Sequence, residues 1–125
     1  MNKQNGITMD WKSGAGVLDV LFCGKIDLLM VQRHLADVAS LNGEISNGFT
    51  LLTDLSGLTQ MDSACIPILG KIMDCFRKYG VGQIIRIIPH PTQDIGFNIL
   101  SVFHYGNAIP VVTCASRKEA DALLS

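Results

Sequence analysis

The carboxylate of Asp62 and the hydroxyl of Ser63 form the most informative chemical pair in this sequence. They stand between a strand-like run and a helix-like run, so both arrive at a helix mouth. Such a mouth offers free N–H donors and about half a positive charge. Two chemistries fit. Either side chain can cap the helix, or Ser63 can accept a phosphate. A phosphoserine adds ≈ −1.5 to −2 charge, which a helix end tolerates and a docked partner does not. Asp62 would sharpen that repulsion. Cys65 brings a thiol to the same helix start, either as a nucleophile or redox sensor with a lowered pKa or as a small buried side chain.

Other catalytic signatures are missing. Gly70-Lys71 has Cys65 where a P-loop needs its first Gly and Ile72 where it needs Ser or Thr. A phosphatase-type cysteine needs an Arg six residues on, and Cys65 meets Lys71 there. The sequence contains no G-x-S-x-G elbow, no H-E-x-x-H and no G-x-G-x-x-G. Cys23, Cys65, Cys75 and Cys114 form no C-x-x-C pair, and His34, His90 and His104 supply no paired ligands at zinc spacing. The reading is a non-enzyme with no cofactor and no metal.

The elements that position Asp62 and Ser63 follow from hydrophobic period. Ile7 to Trp11 and Val17 to Phe22 are rich in strand formers, joined by the turn Lys12-Ser13-Gly14-Ala15. Leu28, Val31, Leu35 and Val38 then recur at helical spacing behind Asp27 as N-cap, and Asn42-Gly43 ends that helix. Phe49 to Leu55 reads as a central strand buried on both faces, and Ser56 to Gln60 as a polar connection. A second helix is expected over Ile66 to Tyr79, with Gly80 as its stop and Pro67 in its first turn. A strand over Gln83 to Ile88, a helix over about Thr92 to Tyr105, a strand over Ile109 to Cys114 and a final helix behind the S-x-x-E box Ser116 to Glu119 complete the chain. Strands and helices alternate after the opening hairpin. That order, β-β-α-β-α-β-α-β-α, calls for an α/β fold with a mixed, mostly parallel five-stranded sheet and about four helices. Function on such sheets sits at the C-terminal ends of the parallel strands.

The run Asp54-Leu55-Ser56-Gly57-Leu58-Thr59, followed by Asp62-Ser63-Ala64, resembles the signature of STAS domains, which include bacterial anti-sigma factor antagonists. Gly24-Lys25-Ile26-Asp27 resembles the Gly-x-Leu-Asp before their first helix, and Glu119-Ala120 their closing Glu-Ala. The likeness covers nearly the whole chain and implies a single STAS-like domain over residues 1–125. It implies a protein partner, a serine kinase that is also an anti-sigma factor and that phosphorylates Ser63. Asp62, Asp54 and Gly57 would lie at the same phosphorylation and partner-binding site. The sequence departs from the pattern at Cys65, where the family commonly has Gly, and at Pro67.

Composition bounds the function class. Of 125 residues, 48% are apolar and 17% charged, with 10 basic against 11 acidic side chains. A chain of that balance folds around a core and lacks the basic excess of a nucleic-acid binder. No run approaches a membrane span or signal peptide, so a cytoplasmic protein is expected. In the expected helix over 92–105, Phe97 and Leu100 fall opposite the Ile95, Ile99, Val102 and Phe103 face. That leaves Phe97 and Leu100 as an interaction surface, for a partner, for a second copy in a homodimer, or for a small apolar ligand.

Overall fold

The computed structural model describes residues 5–88 and 108–124. The expected helix over 92–105, with Phe97 and Leu100, lies outside the described residues, as do His90 and His104.

Strand β1 (Gly6–Lys12) turns through Ser13 to Gly16 into β2 (Val17–Ile26). The turn closes with Ala15 N–H on the Lys12 carbonyl at 3.2 Å, and Gly16 takes φ +67°, a conformation that favours glycine. Helix α1 (Leu28–Ala39) follows, capped by Asp27, whose carboxylate accepts the Met30 N–H at 3.0 Å. Strand β3 is Thr50–Met61, and a short 3-10 turn, Ser63–Cys65, leads from it into α2 (Ile66–Lys78). Strands β4 (Gln83–Ile87) and β5 (Val111–Cys114) and helix α3 (Arg117–Leu124) complete the described elements. In α3 Ser116 caps as expected, its Oγ accepting the Glu119 N–H at 3.3 Å, while Glu119 Oε2 accepts the N–H of Ala115, one residue before the cap, at 3.1 Å.

The five strands lie in the order β1-β2-β3-β4-β5, with β1 antiparallel to β2 and every other pair parallel. The run through Leu51 to Leu55 is central, as its apolar sequence requires. Alternation sends successive side chains to opposite faces. Leu18, Val20, Phe22, Leu51, Leu55 and Ile84 meet Val31, Val38, Leu69, Ile72 and Phe76 of α1 and α2 in the main core. Val17, Leu52, Ile85 and Ile87 point the other way and pack with Cys114 and with Ala120 of α3.

One element is longer than its sequence suggests. Residues Ser56 to Met61, expected as a connection, continue β3 and pair with β2 as far as Ile26↔Met61. Leu58 and Met61 pack on the main core, which holds the segment in the sheet despite its polar neighbours. The pairing steps from Leu21↔Asp54 to Cys23↔Gly57, and from Gly24↔Leu58 to Lys25↔Gln60. Each step puts one extra residue on β3, so β3 carries two bulges. Gly57 follows the first. A Cβ there would lie 3.3 Å from the Phe22 carbonyl, so glycine permits the close approach of the strands.

The core also holds an imidazole. His34 is 4% exposed on α1 and meets the Phe22 ring edge-on, with centroids 6.0 Å apart. Burial pulls its pKa from 6.5 down to about 4, with Asp37 opposing weakly. A base held below its unfolded pKa stabilises the fold above pH 6.5, and the contribution fades as pH falls towards 4. Lowering pH from 7 to 5 should therefore remove about 2 kcal/mol through His34 alone. Urea unfolding at both pH values should show that loss in the wild type and a smaller one in His34→Leu. Equal losses in the two proteins would contradict the assignment.

Candidate functional site

Parallel β2 and β3 end side by side at Ile26 and Met61, and the two helix starts that follow them form a common mouth. The Asp62 N–H donates to the Ile26 carbonyl at 3.1 Å, which ties the end of β3 to the end of β2. The Asp62 carboxylate then caps the 3-10 turn, accepting the Ala64 N–H at 3.0 Å. The Cys65 N–H closes the turn on the Asp62 carbonyl at 3.0 Å.

Of the two capping candidates, the structure uses Asp62. Ser63 is exposed, and among the described residues no hydrogen bond engages its hydroxyl. Ser63 follows the capping Asp62 directly, at the end of the sheet where Asp27 caps α1. A depression of about 370 Å³ opens here, lined by Asn5, Lys25, Ile26, Asp27, Met30, Gln60 and Asp62. Leu29 at the start of α1 and Ile66 at the start of α2 are 54% and 53% exposed. The mouth thus combines acidic groups with apolar side chains that the chain itself leaves uncovered.

The departures from the STAS pattern fit without strain. Cys65 lies at φ −72°, ψ −21°, ordinary helical backbone that needs no glycine. Pro67 stands in the first turn of α2, where no intrahelical N–H bond is lost. Cys65 is fully buried, and burial first, then Asp62 and Asp27, pushes its thiol above the usual value. That direction opposes the thiolate a nucleophile or redox sensor needs.

Asp54 and Gly57 belong to a different cluster. Asp54 is 4% exposed, on the sheet face that carries α3. Its Oδ1 accepts the Ser56 N–H at 2.9 Å and the Ser56 hydroxyl at 2.6 Å. Its Oδ2 accepts from Arg117 at 2.9 Å. The same guanidinium forks onto Asp19 at 2.9 and 3.3 Å, and Lys12 reaches Asp19 at 3.3 Å. Desolvation would lower the Arg117 pKa, but its hydrogen bonds and charge contacts with Asp19 and Asp54 raise it. Arg117 and Asp19 have no motif to announce them. The available signal is Asp19 itself, a carboxylate inside the apolar strand Val17-Leu18-Asp19-Val20-Leu21.

The division of labour at the mouth has a thermodynamic consequence. Asp62→Ala removes the cap and should lower stability by about 1 kcal/mol. Ser63→Ala removes an exposed hydroxyl and should stay within about 0.5 kcal/mol of wild type. Urea unfolding distinguishes them, and the reverse ranking would contradict the assignment of the cap.

No family model matches the chain, and no curated protein matches it in sequence. Solved structures match it in fold. An uncharacterised DUF3478-family protein with a SpoIIAA-like fold, from Shewanella loihica PV-4, superposes with a TM-score of 0.74 at 13% identity, covering 100% of this chain and 98% of that one. The anti-sigma factor antagonist SpoIIAA in its unphosphorylated form gives 0.62 at 20% identity, covering 95% and 97%. The Bacillus cell fate determinant SpoIIAA in its phosphorylated form gives 0.61 at 16% identity, covering 94% and 99%. Likeness at these identities carries the fold alone: this chain has a SpoIIAA-like fold.

Proposed function

We propose that this chain is a non-catalytic regulatory module that docks a protein partner at the mouth of β2 and β3, and that phosphorylation of Ser63 releases the partner. The observation that carries this reading is the exposed Ser63 hydroxyl, left out of the cap by Asp62. A hydroxyl that holds nothing together can be modified without unfolding the helix start. The partner class is a serine kinase that also acts as an anti-sigma factor, which the Asp62-Ser63 signature implies and which fits the fold's likeness to an anti-sigma factor antagonist.

Surface chemistry supports docking here. Leu29 and Ile66 flank the mouth as exposed apolar side chains, the kind of area a protein interface covers. Asp27 and Asp62 against Lys25 leave the mouth with one net negative charge before modification. A phosphate on Ser63 would add ≈ −1.5 to −2 charge beside them, where a docked partner excludes water and screening is weakest.

The test is calorimetry against a purified anti-sigma kinase from the same source. Wild type and Ser63→Ala should bind alike. Ser63→Asp should bind at least roughly tenfold more weakly, equivalent to about 1.4 kcal/mol. Equal affinity for wild type and Ser63→Asp, or no binding by the wild type, would overturn the reading.

A further inference from the structure

Between the sheet and helices α1 and α2 lies a cavity of about 40 Å³. Among the described residues, eight apolar side chains from β2, β3, β4 and α2 line it, together with three polar ones: His34 of α1, Thr53 of β3 and Arg86 of β4.

The polar groups set what the cavity can hold. His34 is 4% exposed and meets Phe22 edge-on, and among the described residues no hydrogen bond engages its ring. At neutral pH the ring is uncharged, so one nitrogen carries an N–H and the other a bare lone pair. The half-buried Thr53 hydroxyl likewise has no hydrogen-bond partner among the described residues. Buried polar groups are almost always hydrogen-bonded, because leaving one unpaired is costly. Arg86 is 2% exposed and already partnered, and its charge beside the cavity favours a polar occupant over an apolar one.

A cavity holds a water once it offers roughly 10–15 Å³ and at least two polar partners. This one meets both conditions. A purely apolar cavity would stay dry. Organic ligands are excluded by size, since their sites run to about 300–1,000 Å³.

We propose that this cavity is a water site, in which one water bridges the His34 ring and the Thr53 hydroxyl and so ties α1 to the central strand. Water suits both partners whichever nitrogen of His34 carries the proton, because it donates and accepts equally well. Among the described residues the site shares no lining residue with the Ser63 mouth, and it does not depend on partner docking there.

The test is a high-resolution crystal structure of the wild-type protein at neutral pH. Density for one water should lie about 2.7–3.2 Å from a His34 ring nitrogen and from Thr53 Oγ1. A second crystal soaked in bromide should show no anomalous peak in the cavity. A cavity without density, density that reaches only one of the two groups, a bromide ion in the cavity, or a His34 ring bonded directly to another protein group would each overturn the proposal. In solution, His34→Leu and Thr53→Val each remove a partner of the same water, so their effects should not multiply. The unfolding constant of the double variant should differ from the product of the single effects at least roughly threefold. Effects that multiply would show two independent groups and overturn the bridge. The crystal structures use the wild-type protein, so they decide the matter even where a variant fails to fold.

Discussion

The carboxylate of Asp54 is the constraint on which the β2–β3 end of the sheet rests. It sits 4% exposed in the central strand, directly before the first bulge of β3. A bulge removes a backbone N–H from the ladder, and a buried N–H without a partner is costly. Asp54 accepts the Ser56 N–H and hydroxyl on one oxygen, and its other oxygen is held by Arg117 from α3. The buried charge is therefore paired and hydrogen-bonded, the condition under which burying it is tolerable. Through this one group the bulge, the sheet face and the closing helix are coupled.

The bulges matter because of what lies beyond them. They add two residues to β3 relative to β2, yet both strands still finish together at Ile26 and Met61. The two strands then hand over to α1 and to the turn before α2 at one mouth, with Asp27 and Asp62 each capping the start that follows it. Both caps are carboxylates. The polarity of that mouth is set by helix starts that the fold requires in any case. Ser63 is the group there that structure does not consume, and a residue free of structural duty is one that modification can reach at little cost to folding.

Much of the fold was legible because period and burial agree. The strand through Leu51 to Leu55 is apolar on both faces and is central, while Ile68, Leu69, Ile72, Met73 and Phe76 share one side of α2 and pack inward. The tail of β3 was not legible. Ser56, Gly57, Thr59 and Gln60 read as a connection, and only the pairing with β2 and the packing of Leu58 and Met61 hold them in the sheet. The capping role was ambiguous for a chemical reason: Asp62 and Ser63 are both good caps, and only backbone geometry decides between adjacent candidates. The Asp54–Arg117 pair spans 63 residues of sequence, and no local pattern encodes a contact of that range. Cys65 is explained by the same geometry, since an ordinary helical φ at this position makes no demand for glycine.

The central claim is that Ser63 is a regulatory acceptor and not a structural hydroxyl. Its most direct test is intact-mass and peptide mass spectrometry of the protein isolated from its native cells across growth conditions. The account predicts a population heavier by one phosphate, with the phosphate localised to Ser63. A phosphate confined to other residues, or a Ser63 that is unmodified under every condition, would contradict it.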